Sequence, residues 1–330
     1  MTLEQVAKRA GVSTATVSRV MNTPALVKEA TRQRVLAAAK ELHYRPNRYA
    51  QSLAGGRSRT LGVIVSNIEN PFFLDILHSL EEVATERGFE VVYENTDYRP
   101  TRLAAAVDLM LARPLAGLAV IESERDEHAV RRLLAWDRPV VVSDLCSSGG
   151  NVTQIRMRYE KGMQRTVEYL HSLGHRRMAF VGHHGTLDPL REREHSFETT
   201  VRRFTDVQSR VAISADSPRG GRQAVNEILE SGFNPTAVLC VNDFMAVGVL
   251  RELRDQGLEV PQDVSVTGFD NIELAEYLNP ALTTANIPRK QIGRIIFDTL
   301  TPSPDHIGKD QEVLIDPQLV VRESTAKAKG

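Results

Sequence analysis

The chain has 330 residues, 41 basic and 42 acidic side chains, a net charge of −1 and 42% hydrophobic residues. That length suits two or three domains with sizeable cores, and the absence of both a long apolar run and a charged-then-apolar leader supports neither a membrane span nor a secretory signal, so a cytoplasmic protein is expected. The near-neutral total hides a dipole: residues 1–60 carry eleven Lys/Arg against three acids (+8), and the rest carries thirty against thirty-nine (−9). Such a chain is built to meet a polyanion at one end only. Two distant cysteines, Cys146 and Cys240, have neither zinc-site nor disulfide spacing and read as small apolar residues.

In chain order, Thr2 and Gln5 fit a capping box, and Leu3, Val6, Ala7 and Ala10 line one helical face. Gly11 supplies the tight turn, Ser13 caps a second helix, and Val17, Val20 and Met21 point back to the core. Thr14, Ala15, Thr16, Ser18, Arg19 and Asn22 are left facing outward. A third helix, about 29–42, carries Val35, Leu36, Ala39 and Leu42 on one stripe and closes a three-helix bundle. Pro46 ends that run, and NRYAQSLAGG holds a turn or two of helix stopped by Gly55 and Gly56. So short a helix is ordered only when something packs on it.

From residue 61 short apolar runs alternate with amphipathic stretches. Strands are predicted at 61–66, 89–95, 115–121 and 139–144, then at 177–183, 210–215, 236–243 and 263–270, with late strands in 311–324. Two successive sets imply two parallel-sheet subdomains of similar build, each buried on both faces. Ligands of such sheets sit beyond the strands' carboxyl ends, and here in the cleft between the two. The polar residues at those ends are Ser66, Asn67, Asp144, His183, His184, Asn242, Asp243, Asp270 and Asn271.

The segments VSTATVSRVMN, ELHYRPNRYAQSLAGGRSRTLGVIV, NPFF, LGHRRMAFVG, VNDFMAVGVL, EVPQDVSVTGFDN and LTT, in this order, resemble the LacI/GalR family of bacterial transcription repressors along nearly the whole chain. The resemblance implies an α/β protein with a small all-α helix-turn-helix headpiece (1–45), a hinge helix and linker (46–59), and an effector-binding and dimerisation core (60–330). That core would be of the periplasmic-binding-protein type, crossed three times by the chain. One subdomain spans about 60–157 plus a late segment, the other about 160–285 plus the tail. It also implies a homodimer, a pseudo-palindromic double-stranded operator and a small-molecule effector, a sugar or sugar derivative. The short tail after Glu323 has no heptads to add a tetramerising coil.

Carried onto this chain, the second helix reads DNA. Thr14, Ala15 and Arg19 would meet bases, and Thr16, Ser18 and Asn22 phosphates: arginine bonds guanine O6 and N7 together, small apolar groups pack on a thymine methyl, and hydroxyls bond phosphate without reading sequence. Ala50 and Leu53 occupy the family's minor-groove positions, with Leu53 as a wedge at a flexible central CG step. The effector residues implied are Phe72 and Phe73, whose rings would stack on the ligand, with Asp144, Arg193, Asn242 and Asp270. Arg193 and Asp270 could instead form an internal salt bridge across the cleft.

The match frays in places. Ser196 stands where the family has glycine, Met157 and Arg158 replace an acidic turn in MRYEKG, Lys28 replaces a serine cap, and the usual aromatic near Asp216 or Ser217 is missing. This last departure weakens simple hexose stacking. The adjacent His183 and His184 would point apart on a strand, so no metal site is expected. No phosphate loop followed by lysine, serine elbow or acid–base pair is present, so neither a catalytic activity nor a cofactor is expected.

Overall fold

The computed structural model describes residues 2–22, 26–44, 58–121, 126–143, 150–183, 188–302 and 312–329. The chain divides into a unit over 1–59 and a larger one over 60–330. In the first, α1 (Leu3–Ala10) starts on the expected capping box: the Thr2 amide donates to Gln5 Oε1 at 2.9 Å and the Gln5 amide to Thr2 Oγ1 at 3.4 Å. Gly11 then turns the chain in the left-handed region, φ 65°. Helix α2 (Thr14–Asn22) starts with the Thr16 amide donating to Ser13 Oγ, and α3 (Glu29–Glu41) starts at Lys28 with no side-chain cap. Val6, Ala7, Ala10, Val17, Val20, Val35, Ala38 and Ala39 form the core. Leu36, expected inside, is 47% exposed. With Val35, Ala38 and Ala39 facing inward, the stripe falls at i, i+3 and i+4, and Leu36 stands about 100° off it.

The larger unit holds two six-stranded sheets. The first comprises β1 (Thr60–Val65), β2 (Glu90–Asn95), β3 (Gly117–Ile121), β4 (Val140–Ser143), β5 (Val152–Met157) and β11 (Glu312–Ile315), in the order β11-β5-β4-β3-β1-β2. The second comprises β6 (Arg177–His183), β7 (Gln208–Ser214), β8 (Ala237–Cys240), β9 (Ser265–Asp270), β10 (Thr283–Asn286) and β12 (Gln318–Val320), in the order β12-β10-β9-β8-β6-β7. Among the described residues only β12 runs antiparallel to its neighbour. Along β1, Leu61, Val63 and Val65 join one apolar cluster and Ile64 another, so alternate side chains are buried on opposite faces.

The helices of the first lobe are α4 (Pro71–Glu86), α5 (Pro100–Leu111), α6 (Glu127–Ala135) and α12 (Arg289–Leu300). Those of the second are α7 (Tyr159–Ser172), α8 (Asp188–Val201), α9 (Pro218–Glu230), α10 (Asp243–Asp255) and the short α11 (Leu274–Tyr277). The chain crosses between lobes after β5, after β10 and after β11. Arg158 and Asp316 staple the first and third crossings at 2.5 Å, with Lys161 Nζ 3.5 Å from the same carboxylate. With Met157 and Arg158 in place of an acidic turn, the carboxylate at this crossing comes from Asp316 of the neighbouring one. Two strands, β5 and β10, were not among those expected. VTQIRM, between β11 and β4, is of mixed character and partly exposed, whereas TTAN buries Thr283 and Thr284 by bonding their polar groups to Ser324, Thr325 and Asp243. Cys240 is buried in the apolar cluster, and burial pushes its thiol pKa well up; Cys146 lies outside the described residues.

Candidate functional site

On α2, Thr14, Ala15 and Arg19 are exposed and Thr16 and Ser18 half-buried, while Val17 and Val20 anchor the opposite face. The Ser13 and Thr16 hydroxyls are 2.9 Å apart at the helix start. The side chain of Asn22, and Ala50 and Leu53 entirely, lie outside the described residues.

In the core unit, polar groups gather where strands of the two lobes end. Arg193, on α8, is 3% exposed; its guanidinium donates to the Val241 carbonyl at 3.0 Å and lies 3.7 Å from Asp270 Oδ1. The rings of Tyr159 and Phe269 flank it, 4.4 and 5.4 Å from the guanidinium carbon. Aromatic faces and a carboxylate thereby offset the desolvation of a buried cation. The salt bridge foreseen between Arg193 and Asp270 exists, but within the second lobe instead of across the cleft. Asp270 closes β9 with φ 101°, a conformation that costs an L-residue about 1–3 kcal/mol. Its carbonyl is held by the Arg289 guanidinium, which also donates to Asp75 Oδ2 of α4 at 2.7 Å.

A second carboxylate organises the cleft. Asp216, after β7, takes Asn242 Nδ2 on Oδ1 at 2.8 Å, and on Oδ2 Tyr98 Oη at 2.8 Å, Asn67 Nδ2 at 3.1 Å and Asn70 Nδ2 at 3.4 Å. Each asparagine is oriented by its other end. Asn70 Oδ1 caps α4 through the Phe72 amide, Asn242 Oδ1 caps α10 through the Met245 amide, and Asn67 Oδ1 accepts from the Glu69 amide. With the oxygens so engaged, only the amide NH2 groups can face Asp216. Burial pushes the Asp216 pKa up, but His183 and the Asn242, Tyr98 and Asn67 bonds outweigh it and hold it below the usual carboxylate value. The His183 ring packs on Tyr98, centroids 5.2 Å apart. Beneath β9, Asp243 behaves oppositely. Burial raises its pKa to about 7 against the Thr284 hydroxyl (2.6 Å), the Ile272 amide (2.8 Å), Arg289 and Arg322.

The structure thus brings Arg193, Asn242 and Asp270 together. Phe72 and Phe73 are each 1% exposed and pack edge-to-face at 5.2 Å inside the apolar cluster, not on an open wall. Asp144 and His184 lie outside the described residues. Asp216, Asn70 and Tyr98 were not singled out from the sequence as site residues. The available signal was position: DSP follows β7 at the same topological place that marked the other strand ends.

Residues 2–47 match the model of bacterial regulatory proteins of the lacI family, and residues 167–325 that of a periplasmic binding protein-like domain. The HTH-type transcriptional repressor PurR of Histophilus somni is 32% identical, with 98% of each chain aligned. The chain belongs to the LacI family. PurR of Vibrio vulnificus is 31% identical, with 99% of each chain aligned. Among solved structures, a LacI-family transcriptional regulator from Silicibacter pomeroyi superposes with a TM-score of 0.87 at 27% identity over 99% of each chain. The lac repressor dimer bound to operator and the anti-inducer ONPF gives 0.84 at 30% identity, again over 99% of each. Members of this family bind operator DNA and a small-molecule effector and act as dimers, and this chain is a DNA-binding transcriptional repressor of that type. Among the described residues no helix is long and apolar enough to cross a membrane.

Proposed function

We propose that this repressor acts in the cytoplasm as a homodimer on a pseudo-palindromic operator, and that a sugar or sugar derivative in the cleft between its lobes sets its operator affinity. The observation that carries the ligand class is the polar lining. Hydroxyl groups both donate and accept, and the cleft offers carboxylates (Asp216, Asp270), a guanidinium (Arg193) and amides (Asn67, Asn242) within one cluster. Asp144 completes the proposed effector set; Phe72 and Phe73, expected to stack on the ligand, are packed inside the apolar cluster and take no part in it. With no aromatic near Asp216 or Ser217, recognition on that side is by hydrogen bonds in place of stacking. No catalytic role is proposed for any of these residues.

On DNA, Thr14, Ala15 and Arg19 read bases, Thr16, Ser18 and Asn22 hold phosphates, and Ala50 and Leu53 enter the minor groove around a central CG step. Two hinge helices wind up together only when the dimer sets them side by side, so a change in lobe angle alters operator affinity, and DNA reciprocally alters effector affinity, by about 1–3 kcal/mol. Inducer and corepressor differ only in which lobe angle they favour.

The test is selection of a preferred operator from random duplexes, followed by binding titrations with a panel of sugars, sugar acids and nucleosides. We expect at least one sugar-type compound to shift the titration and Arg19→Ala to cost about 1–3 kcal/mol, relaxing one base position. No preference over random competitor defeats the reading, and a shift by nucleosides alone defeats the ligand class.

A further inference from the structure

The Asp216 carboxylate divides its two oxygens between the lobes. Oδ1 is bound by Asn242 of its own lobe, whereas Oδ2 takes all three donors that the first lobe presents, Asn67, Asn70 and Tyr98. A carboxylate has about four lone-pair sites, two on each oxygen, so the three first-lobe donors share Oδ2 while Asn242 is bound by Oδ1. All four donors are neutral, so their bonds can be exchanged for those of a ligand, while His183, whose charge favours the ionised carboxylate, belongs to the same lobe as Asp216 and stays beside it. We propose that Asp216 is a built-in clasp, a tethered stand-in for a ligand's polar group. It draws the first lobe's amides and phenol onto the second lobe with protein atoms alone, and an effector opens or replaces this clasp when it binds.

The geometry supports that role over a purely local one. Asp216 needs no first-lobe group to fix its loop: the neighbouring Ser217 already caps α9 through the Gly220 amide at 3.0 Å. The Tyr98–His183 ring contact lies beside the carboxylate and joins the same two lobes. The donors, moreover, are pre-aimed. Asn67 and Asn70 spend their oxygens on their own backbone and can offer only N–H groups, so an acceptor on the facing lobe is what they are oriented to meet. The clasp also implies a preference among ligands. A group that accepts hydrogen bonds can take over Asn67, Asn70 and Tyr98 as Asp216 swings away, whereas a group that only donates must sit against Asp216 itself.

This inference rests on reading the cleft as the effector site, but its test requires neither DNA nor sugar. Amide hydrogen exchange of the full-length protein, without added ligand, is followed peptide by peptide in the parent, Asp216→Ala and Tyr98→Phe. Losing a hydrogen-bonded buried charge should speed exchange by about tenfold or more across residues 66–73 and 96–100 of the opposite lobe in Asp216→Ala. Tyr98→Phe should produce a smaller rise around residues 214–218, which keeps the test valid if the first variant folds poorly. Unchanged exchange across the facing lobe in both variants overturns the clasp, as does a rise spread evenly over both sheets. A localised rise together with operator binding indifferent to every sugar upholds the clasp and defeats the ligand reading instead.

Discussion

The two lobes share one strand order but contribute different chemistry to the cleft between them. Around Asp216 the described first-lobe donors are neutral (Asn67, Asn70 and Tyr98), whereas the second lobe presents charge in Arg193, Asp216 and Asp270. Neutral donors exchange partners at little cost, because water or a ligand oxygen satisfies them equally well. Buried charges must stay matched. The charged lobe is therefore the one whose cleft side chains fix stability, and the neutral lobe is the one free to let go.

The comparison is tested most severely by Arg193→Ala. It leaves Asp270 buried without its counter-charge, and we expect a loss of about 3–5 kcal/mol in urea unfolding. A loss no greater than that of Asn70→Ala would break the contrast.

Next in size is a pH effect within the charged lobe. The folded pKa of Asp243, about 7, lies above that of an unfolded aspartate, about 4, so the native state holds an extra proton between those values. Stability from this group is full below about pH 4 and falls as pH rises towards 7, by at most about 4 kcal/mol. Asp243→Asn should flatten that part of the unfolding profile; an unaltered slope would remove the assignment. Asp216, with its pKa held down, has the opposite sign: its contribution is present above the unfolded value near 4 and is lost in more acidic solution.

The smallest effect sharpens the neutral side. Tyr98→Phe removes one hydrogen bond to a carboxylate and should cost about 1.5 kcal/mol in the same assay. In the Asp216→Asn background the cost should shrink, a coupling that a double-mutant cycle reads directly.

How much of this was legible in the sequence depended on whether local pattern or long-range pairing decided the outcome. Apolar runs such as those of β1 and β6 announce strands buried on both faces, and the Thr2 and Ser13 caps are fixed by neighbours a few residues away. Strand β10 escaped because its buried threonines are satisfied by Asp243, Ser324 and Thr325, partners about 40 residues distant. Leu36 misled because a stripe can be drawn through i+1 as easily as through i+3 until the other helices choose. Of the site, Arg193, Asn242 and Asp270 could be named because they match a known pattern. Asp216 could not, since its meaning depends on donors 118 to 149 residues earlier and on one 26 residues later.

One side chain gives the molecule a mechanical economy. Arg289 stands where the chain re-enters the first lobe, gripping the backbone of Asp270 with one nitrogen and the Asp75 carboxylate on α4 with another. A tug on that strained corner arrives at the far lobe's leading helix through a single rigid, planar group. A movement at the ligand pocket can thus cross from one lobe to the other by a pivot.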